Sequence, residues 1–212
     1  MKKLFVFWHN YLINDWAKIV ESQFLKLVES GLYNSCEKIS CGVVCDPLKV
    51  DEHKNLVKKL MQDNQVDPNK FETQYVHENA FEYVTLKMLQ NFSKNNDAYV
   101  LYFHTKGVSC PTSYTRIKKK KEHKREHMED INITRWRECV EKLDEGNMCC
   151  GTNKRRKFFV GNFWWAKTEY INTLPELKKI TAIRSRAYYE KWLVWSWKDL
   201  ARQPKLYAFP WE

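Results

Sequence analysis

No apolar run in this chain approaches the length of a membrane span. The N-terminal MKKLFVFWHN carries a short apolar burst, but Asn10, Asn14 and Asp15 cut it off and no small-residue cleavage site follows. The reading is therefore a soluble, unexported, cytoplasmic protein. Glycine and proline are scarce, six of each in 212 residues, which leaves little linker and no long disordered tail. Neither G-x-G-x-x-G nor G-x-x-x-x-G-K-[ST] occurs, and G-x-S-x-G is missing too. Kinase, P-loop and dinucleotide-dehydrogenase readings lose their main support. Paired C-x-x-C spacing is also missing from the seven cysteines. An odd, irregular set of this kind excludes a secreted disulfide scaffold and a zinc ribbon, and fits buried reduced thiols.

What is present is a globular composition, 43% hydrophobic and 29% charged. It fits one domain over residues 1–212, with a nucleotide-binding-like half at 1–107 and an aromatic acceptor-side half at 108–212. The abrupt ending at Pro210-Trp211-Glu212 leads us to expect further domains in a longer chain. The formal net charge is +10, and half of it sits between Arg116 and His127, where seven Lys/Arg meet two Glu. Such a run is a solvated face or loop, a nucleic-acid patch, or a cationic lip for a diphosphate or an acidic acceptor. Lys154 to Lys157 (KRRK), followed by aromatics, belongs to the nucleic-acid alternative. Within the run, His123 to His127 (HKREH) matches a zinc-peptidase pattern, but charged neighbours surround it where a metal pair needs a buried, oriented shell.

Hydrophobic spacing gives an alternation of elements. Apolar strands are expected over Lys3–Trp8, Lys38–Cys45 and Ala98–Phe103, and an alternating strand over Phe71–Val76. Between them lie helical patterns at Asp15–Gly31, Asp51–Gln62 and Asn79–Phe92. This βαβαβαβ order predicts an α/β fold, a mostly parallel central sheet flanked by helices on both faces. Such sheets bind ligands at the carboxyl ends of their strands. The residues there are His9 and Asn10, Asp46, His77 and Glu78, and His104 to Lys106, all polar. Further on come an amphipathic helix at Ile131–Leu143, an aromatic strand at Phe158–Ala166, and helices near Glu169–Leu174 and Ile183–Trp195.

A strand ending in His104-Thr105-Lys106-Gly107, a helix bearing Trp136, and Gly161–Ala166 (GNFWWA) followed by Tyr170-Ile171-x-x-Leu174-Pro175 form an ordered set. This set resembles small GT-A-type glycosyltransferases, among them viral transferases that build capsid glycans. The resemblance runs from about Asp97 to Pro175. It implies a Rossmann-like GT-A fold and transfer of a sugar from a nucleotide-diphosphate donor, UDP-based, to a glycan or glycoprotein acceptor. No stable nucleic-acid partner then follows. It places the nucleotide base near Phe7, Trp8 and His9, with Asp46 accepting from base or ribose and Glu78 and Glu82 completing the wall. In most such enzymes a D-x-D after the fourth strand holds Mn2+ or Mg2+ against the diphosphate. Here His104-Thr105-Lys106 stands in that place, and D-x-D occurs nowhere. Either His104 is one ligand of a metal held largely by diphosphate oxygens, or Lys106 supplies the positive charge itself. An inverting reaction needs a carboxylate base on the acceptor side. Glu169 and Glu190 are the candidates, and Glu190 is preferred because Tyr188, Tyr189 and Trp192 around it favour partial burial and a raised pKa. Trp164 and Trp165 alternate on their strand, so one is expected in the core and one facing the sugars beside Asn162.

Overall fold

The computed structural model describes residues 2–110, 115–152, 154–155, 158–159, 161–180, 187–193 and 205–210. Strands β1 (Lys3–Tyr11), β2 (Lys38–Val44), β3 (Phe71–Val76) and β4 (Ala98–His104) are mutually parallel in the order β3-β2-β1-β4. Helices α1 (Trp16–Glu29), α3 (Val50–Asp63) and α4 (Tyr83–Ser93) make the crossovers, with a short α2 (Leu32–Ser35) after α1. The central strands β1, β2 and β4 read as near-continuous apolar runs because both faces of the sheet are covered.

The sheet continues into the second half of the chain. β8 (Trp164–Lys167) pairs antiparallel with β4 and with β5 (Cys149–Thr152), and β9 (Leu206–Phe209) closes the seven-stranded sheet beside β5. Because β8 runs against β4, its amino end lies at the same edge as the carboxyl end of β4. Residues 161–163 are thereby brought level with His104, which sequence distance alone would not suggest. A two-stranded ribbon, β6 (Lys154–Arg155) with β7 (Phe158–Phe159), sits outside the sheet.

Two core layers sandwich the sheet, and the strand period of two assigns neighbouring side chains to opposite layers. Trp8 and Trp165 join Phe24, Leu27 and Trp136 on one side, while Phe7 and Trp164 join Leu86, Leu89 and Trp192 on the other. Each such large side chain contributes on the order of 1.5–3 kcal/mol by leaving water.

Five expectations are changed by this architecture. The charged run is the ordered helix α5 (Thr115–Glu129), whose Arg125, Met128 and Glu129 are buried. The expected helix from Ile131 begins as a wide π-type turn, Asp130–Thr134, and becomes α6 only at Trp136–Asp144. The aromatic stretch is not one strand: Gly161 and Asn162, with φ of +85° and +60°, turn the chain between β7 and β8. The helix expected from Asn79 starts four residues later, because Phe81 at φ +55° breaks the helical path. The helix near Glu169 is short, α7 (Thr168–Ile171), and the one around Ile183–Trp195 is described as α8 (Ala187–Trp192). Its remainder, and the side chains of Lys154 to Lys157, lie outside the described residues.

Candidate active site

The carboxyl ends of β1 and β4 open into a cleft of about 610 Å3, floored by His9 and His104 and walled by Glu82, Lys106 and Glu190. Local backbone geometry aims these groups. Asn79 Oδ1 accepts from the Phe81 amide at 3.0 Å, and the left-handed Phe81 then delivers Glu82 inward just before α4. Thr105 N donates to the His9 carbonyl at 3.0 Å, and Thr105 Oγ1 accepts from Tyr11 N at 3.0 Å. These bonds lock the β4 exit, and hence Lys106, to the β1 exit. Gly161 sits at φ +85°, where any side chain is strained, and a Cβ there would also run into Met128 Sδ.

At the centre, Asn162 Nδ2 donates to Glu82 Oε2 at 2.5 Å, and Trp164 Nε1 donates to Asn162 Oδ1 at 2.8 Å. His104 Nε2 lies 2.9 Å from the Gly161 carbonyl and 3.7 Å from Glu82 Oε1. Lys106 Nζ faces Glu190 Oε1 at 3.7 Å, both side chains about a quarter exposed. Burial pushes the Glu82 carboxyl upward and the Glu190 charge adds to that, against the opposing pull of His9, Lys106 and the Asn162 hydrogen bond. Glu82 is thus a carboxyl whose charged form burial opposes. The sequence offered one hint of it, a lone acidic residue at the entry to an apolar helix.

Lys121 and Lys124 of α5 line the same cleft. The cationic-lip reading of the basic run describes this arrangement, with three ammonium groups facing a pocket at the strand exits. A buried chain of bonds fixes the helix there. Trp8 Nε1 donates to Gln23 Oε1 (2.8 Å), and Gln23 Nε2 donates both to the His104 carbonyl (3.0 Å) and to Glu129 Oε1 (2.7 Å). Glu129 also holds Lys26 at 2.5 Å and Arg125 at 3.2 Å.

The other expected site residues sit elsewhere. Phe7 and Trp8 are sealed in the two core layers, Trp8 stacking on Phe103, so neither ring reaches the cleft. Trp164 and Trp165 are both fully buried on opposite faces of the sheet, Trp164 stacked on Tyr102 and Trp165 donating to the Asn132 carbonyl. The expected split between core and sugar does not occur, because α8 covers the face that Trp164 presents. Asp46 is exposed and accepts from Leu48 N at 2.9 Å as the cap of a turn. Glu78 is exposed and paired with Lys179. The structure therefore brings together His9, Glu82, His104, Lys106, Asn162 and Glu190, and sequence reasoning missed Lys121 and Lys124 as individual lining residues.

These donors do not fit a metal gripped in the manner of D-x-D. Among the described residues no three His, Cys, Asp or Glu side chains converge as ligands. His104 Nε2 must carry its proton to bond the Gly161 carbonyl, so it offers no lone pair there.

Burial holds both His9 and His53 down to about 4. Unfolded imidazoles titrate near 6.5, so between that pH and about 4 the unfolded chain takes up protons that the folded chain refuses. Stability therefore falls as the pH drops through that window. Glu82 opposes the trend, since a raised carboxyl pKa makes the folded chain the better proton binder. Urea unfolding measured from pH 7 to pH 4 is expected to show this loss. His53→Gln should flatten the slope by about 1.4 kcal/mol per pH unit.

With the geometry in hand, comparisons with known proteins can be placed. A family model described as a domain of unknown function, DUF8361, matches residues 6–200. No curated protein matches the sequence. Among solved structures, a mannosyltransferase from Pyrobaculum calidifontis, in complex with GDP-Man and Mn2+, superposes with a TM-score of 0.56 at 11% identity. The alignment covers 99% of this chain and 55% of that one. A cytidylyltransferase from Leptospira borgpetersenii gives a TM-score of 0.49 at 10% identity, covering 100% of this chain and 77% of that one. A 4-diphosphocytidyl-2C-methyl-D-erythritol synthase from Anaerococcus prevotii gives 0.48 at 10%, covering 100% and 88%. The mannosyltransferase likeness shows the fold, a GT-A-like α/β sheet spanning about half the length of that neighbour.

Proposed function

This chain belongs to the DUF8361 family, and on that footing we propose that it is a glycosyltransferase that takes a sugar from a nucleoside-diphosphate donor, UDP-based, and passes it to a glycan hydroxyl with inversion. The observation that carries this reading is the pairing of Lys106 with Glu190 at 3.7 Å across a strand-end cleft lined by two further lysines. The GT-A-like sheet supports it, because ligands of open α/β sheets sit at that edge.

In this reading the diphosphate lies against Lys106, Lys121 and Lys124, whose charges stabilise the negative charge that develops as the anomeric C–O bond breaks. The electron pair leaves on the diphosphate oxygen. Glu190 accepts the proton of the acceptor hydroxyl as its oxygen bonds the anomeric carbon from the opposite side. Glu82 stays buried and, through Asn162, holds the turn at 161–163 against His104. The base and ribose occupy the far end of the cleft beside His9, Tyr11 and Ile13. Among the described residues Trp8, Trp164, Trp165 and Trp192 are buried, which leaves the nucleic-acid alternative without those rings to stack on.

The test follows product release from UDP- and GDP-sugars with glycan acceptors. Free nucleoside diphosphate is expected, and Glu190→Gln should lower its rate by about 10²- to 10⁴-fold while leaving nucleotide binding intact. Release of inorganic pyrophosphate instead would show nucleotidyl transfer and overturn the proposal.

A further inference from the structure

Among the described residues only two large hydrophobic side chains are exposed, Leu48 at 90% and Ile117 at 52%. Both belong to segments that follow the carboxyl ends of strands, β2 for Leu48 and β4 for Ile117. Leu48 sits in the turn that follows β2, and Ile117 in the first turns of α5. One loop holds the two segments together. The Leu12 carbonyl accepts from Lys49 Nζ at 3.0 Å, and Asp15, three residues on, pairs with Lys118.

Ile117 also stands on the face of α5 that carries Lys120, Lys121 and Lys124, at spacings of three, four and seven residues. Lys121 and Lys124 line the cleft; Lys120, with Arg116 and Lys119 on the flank, is exposed beyond it. The rim thus combines two protruding aliphatic side chains with a dense cationic helix. Scattered exposed hydrophobics are ordinary. Two that are tied to one loop, with Ile117 among exposed lysines and Leu48 beside Asp46, which caps its own turn, and Asp51, which pairs with Lys54, fit a surface that is anionic outside and apolar beneath.

We propose that this rim docks on an anionic lipid bilayer, with Leu48 and Ile117 entering the acyl boundary and Arg116, Lys119 and Lys120 facing the headgroups. The protein lies on the membrane without spanning it, for none of the described helices is long and apolar enough to cross. Nucleic acid fits the same charge less well, because it offers nothing for protruding aliphatic groups. In combination with the transferase reading, on which this last step alone rests, the cleft opens towards the bilayer and its acceptor glycan is carried on a lipid.

Co-sedimentation with vesicles of phosphatidylcholine, with and without phosphatidylglycerol, tests the surface. Binding is expected only with the anionic lipid and should weaken as salt is raised. Lys119→Gln and Lys120→Gln should each weaken partitioning about fivefold, and Leu48→Ala and Ile117→Ala about tenfold each. None of these four positions lines the cleft, so nucleotide-induced stabilisation should be unchanged in every variant. Absence of binding to anionic vesicles at low salt overturns the proposal. So does binding indifferent to Leu48 and Ile117, or a preference of the same face for RNA over vesicles. Because nucleotide stabilisation is read on the same samples, failure of this surface and failure of the transferase reading register separately.

Discussion

Lys106→Ala is expected to slow sugar transfer by about 10²- to 10³-fold, the loss found when one preorganised group at a developing negative charge is removed. Its position is the reason. Lys106 follows β4 directly, and its carbonyl accepts from Arg125 at 3.4 Å. Its ammonium is a quarter exposed in the cleft, near Glu190. Its partner Glu190 keeps a quarter of its side chain in solvent, so the melting temperature should change little. Lys106→Arg keeps the charge but replaces a compact ammonium with a broader planar fork, and should recover only part of the rate. A rate for Lys106→Ala within threefold of the unmodified protein would remove this residue from the chemistry. The measurement is initial rate at saturating donor, together with a melting curve on the same preparation.

Glu129→Ala should cost about 3–5 kcal/mol of stability, a fall in melting temperature on the order of 10 °C for a domain of this size. The Glu129 side chain is fully buried, accepts from Lys26 and Gln23, and pairs with the Arg125 guanidinium at 3.2 Å. Arg125 is itself only 8% exposed. Removing the carboxylate strands a guanidinium in the interior and frees Gln23, which braces the His104 carbonyl. Glu129→Gln keeps the shape and some of the hydrogen bonds and should lose less. Because this cluster seats α5 against α1, the substitution should also loosen Lys121 and Lys124 at the cleft and weaken nucleotide binding. Melting curves of the two variants, with and without nucleotide, check both effects.

In the parallel half of the sheet, β1, β2 and β4 were legible because strands buried on both faces must be apolar throughout, and the edge strand β3 because its side chains alternate. β3 is found at its expected bounds, and β2 and β4 within a residue at each end. The polar exits of those strands were legible for the same reason: a charged or imidazole group directly after an apolar run marks the sheet edge. β5 and β9 were not, since Cys149–Thr152 and Leu206–Phe209 are too short for a period and gain their burial from neighbours distant in sequence. The order of Trp164 and Trp165 was readable, but which face stays open depends on α8, which no local pattern reveals. Glu129 shows the same limit. It closes a run of charged residues and looks solvated, yet the antiparallel return of β8 and the packing of α5 on α1 bury it. Glu82 was placed at the site by its position before a helix, whereas its burial follows from the left-handed turn at Phe81.

The central claim is that this cleft binds a nucleoside diphosphate through its own lysines. It is tested most directly by thermal denaturation with UDP, GDP, CMP and ADP, each in EDTA and in Mn2+. One diphosphate, UDP by expectation, should raise the melting temperature in EDTA, by about 5–10 °C at a hundredfold excess over its dissociation constant. The shift should vanish in Lys106→Ala. No shift with any nucleotide, or an equal shift in Lys106→Ala, would contradict the account.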